Sequence, residues 1–163
     1  MNRMLTLRRP RVLREPRPTA ATGRPVICAT LGVPFEPAAA TFAVDAAVED
    51  GHGLILINVV ELPPLPMSVR LGYDQLEDSP DLAAALRAPA ELARSLGVDV
   101  ERLRVKSPRP VAALMEVVAE RQPSLLVFGP DPARLPRRVY RRAARVVREQ
   151  APCLVWMPSE AES

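Results

Sequence analysis

Apolar residues in this chain gather into short runs separated by stretches with a three-to-four-residue repeat. The first run, Pro25 to Leu31 (PVICATL), is nearly continuous, as expected of a strand covered on both faces of a parallel sheet. Gly32 to Pro37 turns the chain. Pro37 suits the first turn of a helix, and Glu36 just before it favours the helix dipole. Residues 37–50 repeat Ala38, Phe42 and Ala46, with Val44, Ala47 and Val48, at helical spacing, with Asp45, Glu49 and Asp50 toward the outer face; Gly51 and Gly53 stop this helix. Leu54 to Val60 (LILINVV) is a second buried-strand run. Residues 61–79 form a long excursion, proline-rich at its start, of the kind that is usually variable or functional. Residues 81–96 follow as a helix, with Ser79 as cap and Pro80 at its first position, and Pro89 predicts a kink or break within it. Val98 to Val105 alternates apolar and polar residues, which predicts a half-exposed strand at a sheet edge. A helix over 110–121 turns Val111, Leu114, Met115 and Val118 inward. Leu125 to Phe128 is a strand ending in Gly129. A helix over 136–150 has Val139, Tyr140, Ala143, Ala144, Val146 and Val147 as its buried side, and Cys153 to Met157 closes the pattern as a last strand.

Five strands alternating with four helices define an α/β fold: a three-layer, doubly wound parallel five-stranded sheet with right-handed crossovers. The half-polar third strand belongs at an edge, so the strand order is 3-2-1-4-5. The switch point then falls between strands one and four, and the loops after Leu31 and Gly129 face each other. A single domain over residues 25–158 accounts for this pattern, followed by a polar tail, 159–163.

Composition adds little until charge is divided along the chain. The 163 residues are 48% hydrophobic and 25% charged, a globular balance, and no apolar run approaches the ~20 residues of a membrane helix. A basic N-terminus without an apolar stretch is not expected to be a secretory signal. The formal charge of +3 is a tail property: residues 1–24 hold seven arginines against one glutamate, and the remainder holds 15 bases against 18 acids. That basic, Pro/Arg-rich segment is expected to be a flexible extension. Without interleaved aromatics or a recognisable motif it is not expected to bind nucleic acid, and no membrane contact is expected.

The chemistry-bearing positions cluster at the switch point. Helix N-termini there attract anions, so a phosphate would sit at loop 129–136. Yet Pro130, Pro132 and Pro136 stand where such a cradle wants glycine. Thr30, Leu31, Gly32, Gly129, Asp131, Arg134, Arg137 and Arg138 line this candidate cleft, a degenerate anion site. Seven arginines lie between 134 and 148, six of them spaced four apart in two rows (134, 138, 142 and 137, 141, 145), and form a broad basic face on which a phosphate, an acidic protein patch or a polyanion could dock. Cys28 and Cys153 lie within apolar runs as free thiols, with no metal spacing, and His52 sits between two glycines at a turn. No nucleophile–base pair is evident, so no catalysis is expected.

The residues LILINVVEL, GVDVERLRV, SPRPVAALMEVVAERQPSLLVFGP and VVREQAPCLVWMP resemble the universal stress protein family over residues 25–158. The resemblance implies an adenine nucleotide alpha hydrolase-like fold. It also implies a homodimer formed through the last strand, which here offers Leu154, Val155, Trp156 and Met157. The nucleotide-binding branch of that family carries a G-x2-G-x9-G-[S/T] pattern and an acidic residue at the tip of the first strand. Gly129 matches the first glycine. Pro132 replaces the second, Arg142 and Ala143 stand at the last two positions, and Thr30 or Leu31 stands at the acid. The expectation is therefore a cytoplasmic, non-catalytic, regulatory or stress-response domain without a cofactor. It would act through an unknown protein partner or a weakly held anion. The alternatives are an ATP- or AMP-binding member and a nucleic-acid-associated protein using the tail and the arginine helix.

Overall fold

The computed structural model describes residues 13–14, 23–62 and 80–158. The expected loop over 63–79, the Ser79 cap, the C-terminal tail 159–163 and all of the extension before residue 23 except Leu13–Arg14 lie outside the described residues. Five parallel strands, β2 (Val26–Thr30), β3 (Leu54–Glu61), β4 (Val100–Ser107), β5 (Leu125–Phe128) and β6 (Leu154–Trp156), lie in the order β4-β3-β2-β5-β6. This is the 3-2-1-4-5 order read from the sequence. Helices α1 (Pro37–Asp50), α2 (Pro80–Ser95), α3 (Pro110–Arg121) and α4 (Arg137–Gln150) alternate with them.

Two expectations are corrected at the β4 side. A sixth strand, β1 (Leu13–Arg14), pairs antiparallel with β4 through Leu13 opposite Arg104 and Arg14 opposite Leu103. Part of the extension expected to be flexible is therefore a strand, and β4 has a partner on its outer side over those positions. A paired edge is the usual remedy for a row of unanswered backbone groups. Two residues are too few to show a period, which is why the pattern of the tail did not reveal them.

The central strands are buried on both faces and supply two cores. Ile27, Ala29, Ile55, Ile57, Leu126 and Phe128 pack with Leu114, Val118, Tyr140, Ala143 and Val147 of α3 and α4. Val26, Cys28, Leu54, Leu56 and Val127 pack on the other side with Ala39, Ala43, Val44, Ala90 and Ala93 of α1 and α2. Pro89 is buried within α2, which runs unbroken past it.

The helix faces differ in detail from the periodicity. In α1 the buried stripe is Ala39, Ala43, Val44 and Ala47; Ala38 is exposed and Phe42 is 36% exposed. Alanine reads alike on either face, so the larger Phe42 drew the apolar stripe off by one position. In α4 the core side is Tyr140, Ala143, Ala144 and Val147, whereas Val139 is 48% exposed and Val146 only half-buried. In α3, Ala113 is buried while Val111 and Met115 are half-buried against the same core.

The two thiols are free. Burial pushes the Cys28 thiol far above the ordinary range, and burial also raises Cys153, opposed by a backbone hydrogen bond involving Leu126 and by the charge of Arg24. Only thiolate reacts. In the native protein at mildly alkaline pH, Cys153 is therefore expected to react with a maleimide more slowly than a free cysteine and faster as pH rises. Cys28 should react only after denaturation. Mass spectrometry of pulse-labelled protein checks this; native labelling of Cys28 contradicts it.

Candidate functional site

The switch point lies between β2 and β5, which pair from Val26–Leu125 to Ala29–Phe128. The loops beyond them are joined to each other. The Glu36 amide donates to Gly129 O at 2.9 Å, the Asp131 amide to Pro34 O at 3.0 Å, and Phe35 and Pro130 form an isolated antiparallel bridge. At the β2 tip, Thr30 is fully buried and its Oγ1 donates to Val33 O at 2.6 Å. Leu31 is half-buried against the α3/α4 core. Gly32 takes a left-handed backbone (φ 67°) that a side chain rarely adopts, and its amide donates to Asn58 Oδ1 at 2.9 Å. The helix start nearest the β2 loop is already filled by a carboxylate: Glu36 Oε2 accepts from the Ala39 amide at 2.8 Å.

The loop 129–136 leaves few backbone donors for a phosphate. Positions 130, 132 and 136 are proline and have no N–H. The Gly129 amide donates to Ala29 O, that of Asp131 to Pro34 O, that of Arg134 to Asp131 O, and that of Ala133 to Asp131 Oδ1 at 2.9 Å. Asp131 thus places its own carboxylate on an amide that a bound anion would need. Its Oδ2 stands 3.8 Å from Arg134 Nε, a loose pair in which Arg134 is exposed and Asp131 half-buried. At the start of α4, Pro136 is the N-cap and no side chain caps the first turn, so Arg137 and Arg138 lie exposed beside unanswered helix amides.

The structure also revises the correspondence with the glycine pattern. Arg142 lies in the second turn of α4 and is exposed, and Ala143 is buried in the core. Neither stands at the helix start where a glycine–hydroxyl pair would meet a phosphate. That place holds Pro136–Arg137–Arg138, because the loop between β5 and α4 is short. Asn58 was missed by the sequence reading. It is fully buried, its Nδ2 has no hydrogen-bond partner among the described residues, and it sits at the level of Thr30 on β3. The signal was available, since Asn58 is the single polar residue inside LILINVV.

Of the candidate edge residues, Leu154 is 75% exposed, while Val155, Trp156 and Met157 are half-buried. Trp156 stacks on Phe42 of α1 with ring centroids 4.4 Å apart and planes at 16°. Among the described residues no cluster of three or more His, Cys, Asp or Glu is placed to hold a metal ion. Likewise, no helix among them is long and apolar enough to cross a membrane.

The universal stress protein family model matches residues 23–157. The chain belongs to the universal stress protein family. A comparison with curated proteins finds no match. Among solved structures it is similar to UspA from Lactobacillus plantarum (17% identity, TM-score 0.62, 83% of this chain and 99% of that one). It is also similar to a universal stress protein from Archaeoglobus fulgidus in complex with dAMP (14% identity, TM-score 0.60, 84% and 98%). A universal stress protein in complex with cAMP aligns at 22% identity and TM-score 0.55, over 83% and 95%. At these identities the likeness speaks for the fold alone.

Proposed function

We propose that this chain is a non-catalytic, regulatory universal stress protein whose triphosphate loop is closed on itself, and which acts in the cytoplasm through protein contacts or a weakly held anion. The observation that carries this is the fate of the backbone donors in loop 129–136: three are absent at prolines, and four are consumed within the chain. Each desolvated donor lost costs about 1–3 kcal/mol. Three such losses move a micromolar ligand to millimolar or beyond. Titration calorimetry with ATP is expected to show no saturable binding in the micromolar range and no turnover of the nucleotide. Micromolar ATP binding contradicts the proposal.

One set of observations favours a second reading, a nucleoside monophosphate site. The uncapped start of α4 beside Arg134, Arg137 and Arg138 could take one phosphate, and Asn58 Nδ2 has an unanswered donor. Relatives in complex with cAMP and dAMP are consistent with it. Titration with AMP in place of ATP separates the two. The exposed Leu154 on β6 further supports a homodimer formed through that edge, with twice the chain mass of 17.8 kDa expected in sedimentation.

A further inference from the structure

We infer that the solvent face of α4 is a docking surface for an acidic, partly apolar protein segment; this names the partner chemistry of the regulatory reading above and rests on it. The face is built from exposed arginines. Among the described residues the side chains of Arg137, Arg138, Arg141, Arg142 and Arg148 make no hydrogen bond or ion pair, and Arg145 reaches Glu149 only at 3.6 Å, with both side chains largely in solvent. Steps of four along a helix advance about 6 Å, so Arg138–Arg142 and Arg137–Arg141–Arg145 form rows of planar forks suited to carboxylates or phosphates.

Three observations select a protein carboxylate partner over a nucleic acid or a lipid surface. First, the basic patch is bounded. Beyond residue 24 and outside 134–148 the chain holds 8 bases against 18 acids. Glu149 closes one end of the patch, Asp131 precedes it, and α3, in the same layer, exposes Glu116 and Glu120. A long polyanion crossing this face would run into like charge, whereas a short acidic segment would not. Second, the face has an apolar border. Val139, 48% exposed, and Val146, half-buried, lie seven residues apart on one side of the helix beside Arg142. A phosphate backbone gains nothing from that strip; an apolar side chain in the partner does. Third, the aromatic of this helix, Tyr140, is buried in the core, so the face has no platform for stacking a base. A membrane is disfavoured because the apolar side of α4, which would have to insert, is already packed on the sheet.

The test uses the full chain and a fluorescein-labelled helical peptide with glutamate at every fourth position and leucines beside them. Matched probes are the same peptide with serine for leucine, a DNA duplex and phosphatidylserine vesicles. The leucine peptide is expected to bind best at physiological salt. The triple variant Arg141→Ala, Arg142→Ala, Arg145→Ala should weaken it about tenfold or more, and Val139→Ser about threefold without changing duplex binding. Tighter binding of duplex or vesicles, equal binding of the serine peptide, or wild-type affinity in the triple variant overturns the inference. The three arginine substitutions lie outside loop 129–136 and beyond the first turn of α4, and Val139→Ser, in that turn, removes no charge and no backbone donor. Nucleotide titration of the same variants therefore reads the cleft separately, and a failed peptide result leaves the closed-loop proposal standing or falling on its own data.

Discussion

Replacing Gly129 by alanine is expected to destabilise the protein by about 1–3 kcal/mol through overpacking. A Cβ built on Gly129 would lie 2.4 Å from Ala39 Cβ, with Ala39 Cα at 3.8 Å. That neighbour is a short, fully buried side chain at the first turn of α1, so it cannot swing aside. The backbone of Gly129 is also pinned on both sides, its amide on Ala29 O and its carbonyl under the Glu36 amide. Relief therefore requires α1 to move off the sheet. The requirement is for space rather than for an unusual backbone angle, which makes a double-mutant cycle informative. Ala39→Gly alone should cost about 1 kcal/mol as a helical glycine. Combined with Gly129→Ala it should lose less than the sum of the two. Denaturant melts of the four proteins decide it: additive losses would show that the Ala39 contact is not what keeps a glycine here.

That contact changes the meaning of a residue the sequence had placed in a phosphate loop. Gly129 matches the first glycine of a nucleotide pattern, but in this chain it admits α1 close to the carboxyl end of β5. The prolines were legible without coordinates, and so was the loss of donors they impose. Asp131 was legible only as a cleft residue; that its carboxylate would take the Ala133 amide depends on the turn it sits in. The helix itself was placed to within one residue, but the fixed spacing of the glycine pattern overruns its start. Arg142 and Ala143 therefore fell inside α4 rather than at its mouth.

Buried parallel strands were the most readable part of the fold. Runs such as PVICAT and LILINVV have few residues that could face water, and the single alternating strand, VERLRV, had to lie away from the centre. From that asymmetry the strand order followed. Helix rotation was less readable where alanine dominates. In α1 an alanine stripe won the core and left Phe42 to stack on Trp156. In α4 the arginines fixed the outer face, yet Val139 stayed with them because the core side was already filled by Tyr140, Ala143, Ala144 and Val147. Asn58 escaped notice because its role, accepting the Gly32 amide across the mouth of the cleft, joins residues far apart in the chain.

Phe128→Ala is expected to have the largest effect on stability of any substitution considered, a loss of about 3–5 kcal/mol. Phe128 is fully buried at the carboxyl end of β5, and its ring lies 6.0 Å from that of Tyr140, centroid to centroid, at 34°. It is thus the sheet's anchor for the first turn of α4, and the residue after it opens the loop toward α1. Removing the ring leaves a cavity beside Tyr140 in the core shared with α3 and α4. At this chain length each kcal/mol corresponds to about 2–4 °C, so thermal unfolding should shift by on the order of 10 °C. Phe128→Leu keeps most of the volume and should lose far less. Because Phe128 belongs to the core packed by α3 and α4 and not to the one packed by α1 and α2, the cavity should also loosen one layer before the other. Hydrogen exchange of the α4 amides should accelerate in Phe128→Ala while that of α1 changes little. Equal acceleration in both helices would mean that the two layers open together and that Phe128 does not anchor α4 in particular.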